Sequence, residues 1–274
     1  NKAIDLIEKI VKEEKIECEF KRVPQYLFTQ NQDDQEFLKN EEMKARKLGF
    51  QVTYKDCENC LSFKTKGHLE FPNQAKFNPT KFVLALAEIL ERKGVQIYEN
   101  TEANEVIKSD GKSEIKCTNG EIISENLVIG THTPFTSPLL INTMKLIPYI
   151  TYVIEAEINR GVIAEGLYLD TEIPYHYLRI DSLNETTDRL ILGGEDHEPG
   201  KEGNESRHAK LEKYLKELIP NLEYKLVRRW SGEIFESGDE IPLIGKINGN
   251  QIVGTGYSGN GLTFGAVTAM RAND

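Results

Sequence analysis

The sequence is poor in cysteine, tryptophan and methionine, with four, one and three in 274 residues. Four thiols, Cys18, Cys57, Cys60 and Cys117, are too few to staple a chain of this length, so a disulfide scaffold is excluded. Cys57 and Cys60 form a lone CxxC. A zinc site needs two more ligands and there is no second pair, so no metal site is expected and the two read as ordinary thiols. No apolar run is long enough to cross a membrane. Positive charge is the scarcer sign, 34 Lys and Arg against 44 Asp and Glu. A net charge of −10 argues against general affinity for nucleic acid or anionic membrane. No secretory signal is visible, and a reducing cytoplasm is the expected setting. Internal repeats and low-complexity segments are also missing.

What is present is patterned. The opening "NKAIDLIEKIVKEE" is an amphipathic helix with Ile4, Ile7, Ile10 and Val11 on one stripe. There is no initiator Met, and the other end stops inside a helix, so the chain is expected to be part of a longer polypeptide. "ECEFKRVPQYLFTQ" reads as a strand whose Pro24 suggests a sheet edge. A charged helix closed by Gly49 follows. Asn78-Pro79 is an N-cap followed by N1, and opens a helix that ends at Gly94. "VQIYEN" reads as a short strand. Asp110-Gly111 and Asn119-Gly120 then mark hairpins in a dense β region ending on "NLVIG" and Gly130-Thr131-His132. "IPYITYVIEAEI" suits an antiparallel strand, "PYHYLRIDS" and "DRLILGGED" a hairpin pair, and "ESRHAKLEKYLKELIPN" a helix.

Four glycines crowd "TGYSGNGLTFG" near the C-terminus. The stretch reads as a buried strand, a glycine-rich turn and a helix start. Such a turn lets backbone approach a flat ring closely. The helix after it aims unpaired N–H groups and a positive dipole end at whatever lies there. Gly256, Tyr257, Ser258, Gly259, Asn260, Gly261 and Leu262 are the candidate contacts, with a plain turn as the alternative. On the strand "YHYLRI", Tyr175, Tyr177 and Arg179 share one face and His176, Leu178 and Ile180 the other. Arg179 beside two tyrosines could clamp a carboxylate in a bidentate pair, or be an ordinary surface arginine. His176 is a candidate proton acceptor or a hydrogen-bonded structural histidine. Trp230 and Gly232 could pack at a ring edge, with core packing the competing reading.

"RRWSGEIFESGDEIPLIG" followed by "NQIVGTGYSGNGLTFG" resembles the C-terminal flavin-binding signature of the FAD-dependent D-amino acid oxidase/glycine oxidase superfamily. "FNPTKFVLALAEILERKGVQIYENTEANEVI" resembles its middle segment and "NLVIGTHTPFTS" its strand beside the flavin, so the match covers nearly the whole chain in order. "PYHYLRI" with "DRLILGGEDHEPGKE" is similar to a bacterial branch whose members often carry a Rieske iron–sulfur domain. The resemblance implies an α/β (α+β mixed) fold, a Rossmann-like FAD-binding domain interleaved with an antiparallel-sheet substrate domain. The expected division is 1–77 and 145–228 for the substrate domain, 78–144 and 229–274 for the FAD-binding domain. It also implies FAD as cofactor, with Val106, Gly130, Thr131, Trp230, Gly232 and residues 256–262 around it and Arg179 on a substrate carboxylate. Asp239 falls at a cofactor-shell position. The family's GxGxxG segment, which holds the FAD pyrophosphate on a helix N-terminus, does not occur here, and the resemblance places it before Asn1.

Two functions are therefore expected in competition. One is an FAD-dependent oxidoreductase that oxidises an amine or amino acid by hydride transfer to flavin N5, with oxygen, an iron–sulfur domain or another carrier taking the electrons. The other is a non-catalytic binding or assembly module that keeps the fold without the cofactor.

Overall fold

The computed structural model describes residues 2–134, 146–200 and 206–273. The chain divides into two compact units, one of Asn1–Phe20, Phe77–Tyr149 and Ile234–Asp274, the other of Lys21–Lys76 and Ile150–Glu233. The expected boundary at 144/145 lies outside the described residues.

The first unit holds α1 (Lys2–Glu13), α3 (Pro79–Arg92), β4 (Ala103–Ser109), β5 (Lys112–Cys117), β6 (Gly120–Ser124), β7 (Leu127–Ile129), β13 (Leu243–Asn248), β14 (Gln251–Thr255) and α5 (Gly261–Asn273). The sequence reading put α1 with the substrate domain. The structure puts it here, because its apolar stripe has a different partner. Ile7, Ile10 and Val11 pack with Phe77, Phe82 and Ile89, and Ala266 of α5 joins the same cluster. Helix α3 starts as its sequence dictates, the Asn78 side chain accepting from the Lys81 N–H at 3.1 Å with Pro79 in the first turn. Strands β4, β5 and β6 form a meander, turning at Asp110 and Gly111, both with positive φ. Strands β13, β14 and β7 form a second small sheet with β14 in the middle, antiparallel to β13 and parallel to β7. The expected strand at "VQIYEN" does not form. A strand needs a neighbour for its ladder, and residues 95–100 pair with none of the described strands, leaving Ile97 and Tyr98 exposed.

The second unit is built on a sheet whose strands are β1 (Lys21–Thr29), β2 (Thr53–Lys55), β3 (Gly67–Lys76), β8 (Ile147–Asn159), β9 (Leu167–Asp170), β10 (His176–Ser182), β11 (Thr187–His197) and β12 (Tyr224–Glu236), in the order β12-β8-β11-β10-β9-β1-β3-β2. Strand β1 is interior, not the edge that Pro24 suggested. The ladder to β3 shifts register between Val23 and Gln25, so Pro24 sits in a bulge where no N–H is required. Helix α4 (Arg207–Leu218) covers one face: Leu211, Leu215 and Leu218 are buried with Ile154, Leu178, Ile180, Leu190 and Leu192. Helix α2 (Gln35–Lys47) places Leu38 against Leu69 of β3. Cys57 and Cys60 are joined by a disulfide, where the sequence suggested two ordinary thiols. Their Cα atoms are 5.6 Å apart across a tight turn, close enough for a bridge.

Candidate active site

In the first unit, β7 and β14 run parallel, with Gln251, Ile252 and Val253 opposite Leu127, Val128 and Ile129. Their C-terminal ends therefore lie side by side, which is where open α/β sheets present ligand sites. One end continues into Gly130-Thr131-His132, the other into the glycine-rich turn. The Thr255 hydroxyl donates to the His132 carbonyl and ties the two turns together. Gly130 and Thr131 are exposed, and the Thr131 carbonyl accepts from the Thr133 N–H at 2.6 Å. His132 turns its ring edge toward Phe235, with centroids 4.8 Å apart.

The glycine-rich turn separates its candidates. Tyr257 folds back on its own helix, its hydroxyl 2.6 Å from the Thr268 hydroxyl, which itself donates to the Phe264 carbonyl at 2.9 Å. A Cβ on Gly254 would lie 2.2 Å from the Tyr257 oxygen, so the glycine makes room for that side chain. The Ser258 N–H is engaged by the Phe235 carbonyl at 3.1 Å, and the Asn260 N–H by the Tyr257 carbonyl at 2.8 Å. Asn260 begins α5, its carbonyl accepting from the Phe264 N–H. The N–H groups of Gly261, Leu262 and Thr263 are left without helical partners by their place in the first turn, and residues 259–263 are exposed. The buried Ser258 hydroxyl also lacks a partner. This is an acceptor-seeking donor set at a positive helix end. It fits one polar, electron-rich edge of a planar ring such as the flavin pyrimidine.

Asp239 uses its carboxylate locally. It accepts from the Ile241 N–H at 3.2 Å, and that backbone bond, with help from the Ser237 hydroxyl, holds its pKa below the usual value. Val106 is half-buried in β4, paired with Ile115 of β5.

In the second unit, strand pairing fixes which side chains share a face. Tyr177 lies opposite Gly193 and Gly193 opposite Val153; Arg179 lies opposite Ile191 and Ile191 opposite Glu155. Tyr177, Arg179 and Asp181 thus stand on the face away from α4. A Cβ on Gly193 would be 2.2 Å from the Tyr177 ring and hydroxyl, so the Tyr177 ring lies flat over that glycine. Arg179 Nε donates to Asp181 Oδ1 at 2.9 Å. The same oxygen accepts from the buried Lys76 ammonium at 2.6 Å, and Lys76 also meets Glu165 Oε1 at 2.8 Å. Burial alone would raise the Asp181 pKa, but the hydrogen bonds from Arg179 and Lys76 hold it below the usual range. Nε of Arg179 is thereby pinned, and its Nη1 and Nη2 make no bond to the described residues. Beside Tyr177 lie the buried Thr151 hydroxyl and the buried Asp196 carboxylate, with Thr151 close to both Tyr177 and Asp196 and Tyr175 also next to Asp196. Burial raises the pKa of both Tyr177 and Asp196.

His176 does not join them. It is buried on the α4 face, its Nδ1 2.8 Å from Asp170 Oδ2 and its ring stacked 3.8 Å over Tyr214. The period-2 alternation of a strand sends it away from Arg179. Of the three expected catalytic residues, the structure brings together Tyr177 and Arg179 only. Sequence reasoning missed Lys76, Asp181 and Thr151. Asp181 alone carried a signal, standing two residues from Arg179 on the same strand face. Trp230 is not a core residue. It is 41% exposed on β12, with Gly232 on the same side, and its carbonyl accepts from His208 Nε2–H at 3.0 Å.

The sequence pattern of the FAD dependent oxidoreductase family matches residues 1–274. The chain belongs to this family. FAD is the family's cofactor, and the donor set at the start of α5 is consistent with it. Among relatives, a Bacillus subtilis (strain 168) protein whose name calls it a Rieske 2Fe-2S iron-sulfur protein, YhfW, is 30% identical over 277 residues, covering 99% of this chain and 53% of that protein. A Haemophilus influenzae protein named as an oxidoreductase, OrdL, is 23% identical over 283 residues, covering 95% of this chain and 62% of its own length. The chain spans about half the length of the curated relatives it matches. Two crystal structures share the fold at a TM-score of 0.80: L-proline dehydrogenase from P. horikoshii, 18% identical, covering 99% of this chain and 76% of the other, and glycine oxidase from Geobacillus kaustophilus, 17% identical, covering 98% and 75%. No described helix is long and apolar enough to cross a membrane.

Proposed function

We propose that the chain is the substrate-binding and part of the flavin-binding portion of an oxidoreductase that oxidises an amine or amino acid. The observation that carries the reading is Arg179. Its Nε is held by Asp181, which leaves the paired Nη groups as a preformed fork for a substrate carboxylate. Tyr177 lies flat beside it over Gly193 and would form a wall for the substrate's apolar part. The Thr151 hydroxyl and the Asp196 carboxylate beside Tyr177 would take the hydrogens of the substrate amine. The raised pKa of Asp196 suits it to receive a proton from an ammonium, so that the amine reacts in its neutral form. The chemistry FAD would supply when bound is that of a hydride acceptor for the substrate carbon, leaving an imine that water would hydrolyse. The first-turn N–H groups of Gly261, Leu262 and Thr263 would hold the ring's pyrimidine edge, and Gly130 and Thr131 would line it through their backbone. Trp230, Gly232 and Val106 remain contact candidates by the family resemblance alone.

The relative named as a Rieske protein supports an iron–sulfur centre as electron acceptor, with oxygen as the alternative. The test is substrate discrimination. Arg179→Ala should raise KM for amino acids by about 100-fold, the worth of a charge-assisted pair, and leave neutral amines within about threefold. Equal losses for both classes would refute the role of Arg179.

A further inference from the structure

The Cys57–Cys60 bridge stands apart from the flavin chemistry. It closes a turn of two intervening residues between β2 and β3. A ring this small contributes little as a scaffold, because loop-closure entropy grows with the length enclosed. The turn is also held without it. Thr65, itself buried, donates its N–H to the Glu58 carbonyl at 3.0 Å and its hydroxyl to the Cys57 carbonyl at 3.2 Å. Glu58, inside the ring, pairs with Lys66 at 3.0 Å. Downstream, Phe63 is buried against Phe28 and Tyr168, and the Ser62 hydroxyl accepts from the Ala164 N–H at 2.9 Å. Upstream, Gln35 donates to Asp56 at 3.2 Å. Opening the bridge therefore frees no segment from the sheet.

The two sulfurs differ in access. Cys60 is exposed and Cys57 is partly covered. The other cysteines are a buried Cys18 and a half-buried Cys117, neither in the bridge.

We infer that Cys57–Cys60 is a thiol–disulfide exchange site, an accessible two-electron couple that takes a cellular thiol of the glutathione class. An incoming thiolate attacks Sγ of Cys60, the bridge breaks, and Cys57 leaves as the thiolate. A second thiolate attacks the mixed disulfide at the incoming sulfur, releasing the oxidised thiol and the Cys60 thiolate. Both thiolates take up protons, so two external thiols are oxidised to one disulfide as one bridge becomes two thiols. Exposed bridges are the exchangeable ones, whereas buried structural bridges resist the glutathione pool.

The test uses the folded chain in glutathione buffers of rising reduced fraction, quenched with iodoacetamide and mapped by mass spectrometry. Cys57 and Cys60 should become alkylated together in one two-electron step, with unchanged far-UV circular dichroism, constant label at Cys117 and none at Cys18. A bridge that persists in pure reduced glutathione and opens only in denaturant overturns the proposal, as do two cysteines labelled in every buffer. The direction of attack is tested with glutathione disulfide. In Cys57→Ser, Cys60 should acquire glutathione about tenfold faster than Cys57 does in Cys60→Ser. Equal rates would overturn the assignment of Cys60 as the attacked sulfur.

Discussion

Lys76→Met tests the arrangement behind Arg179. The Lys76 side chain is 4% exposed and its ammonium meets Asp181 at 2.6 Å, Glu165 at 2.8 Å and the Ile180 carbonyl. At an effective dielectric of about 20 the Asp181 pair alone is worth roughly 6 kcal/mol before desolvation, and desolvation takes back several kcal/mol. Methionine keeps the stem's volume and removes the charge. Asp181 then stays 9% exposed with Arg179 as its remaining cation, and Glu165, 23% exposed, keeps Lys21. Breaking one side of a buried pair costs about 3–5 kcal/mol, and the surviving partners put this case near 3 kcal/mol. Trp230 is the single tryptophan and belongs to the same unit as Lys76, so urea unfolding followed by its fluorescence reports on that unit. The double variant Lys76→Met/Asp181→Asn removes the stranded charge and should recover about 1 kcal/mol or more over the single. A Lys76→Met protein within about 0.5 kcal/mol of the parent, or a double variant as unstable as the sum of the singles, would refute the buried network.

Gly193→Ala brings a methyl group to 2.2 Å from the Tyr177 ring, so the ring must swing off the sheet. The expected cost is about 1–3 kcal/mol in thermal unfolding, with a changed near-UV circular dichroism signal. An unchanged signal would contradict the flat packing of Tyr177. For acid, the folded pKa of Asp181 lies below its unfolded value. Its contribution is therefore full above the ordinary carboxylate pKa of about 3.9 and is lost as pH falls through the lower folded value. Asp181→Asn should flatten that acid limb in pH-dependent melting, and a parallel loss in both proteins would contradict the assignment.

Local signals carried far in this chain. Asn78-Pro79 capped α3 and Asp110-Gly111 turned a hairpin because the chemistry of those positions is complete within a few residues. The strand–turn–helix of 251–273 was legible for the same reason. Pro24 misled because its meaning depends on a bulge, a property of two strands and not of one. "VQIYEN" had strand composition, but strand formation is settled by a neighbour. Helix α1 showed its apolar stripe without showing which surface would cover it. At the candidate site, period-2 alternation separated Arg179 from His176, yet Lys76 lies 105 residues from Asp181 and no spacing rule joins them. The disulfide was read as two thiols because sequence counts cysteines and not Cα distances.

The proposed function is flavin-dependent oxidation of an amine or amino acid. The most direct test is the visible absorption spectrum of the protein purified from its natural reading frame, before and after anaerobic addition of amino acids. The account predicts a two-band flavin spectrum that bleaches with a carboxylate-bearing amine. A colourless protein that takes up no added FAD would contradict it and leave the fold as a binding or assembly module.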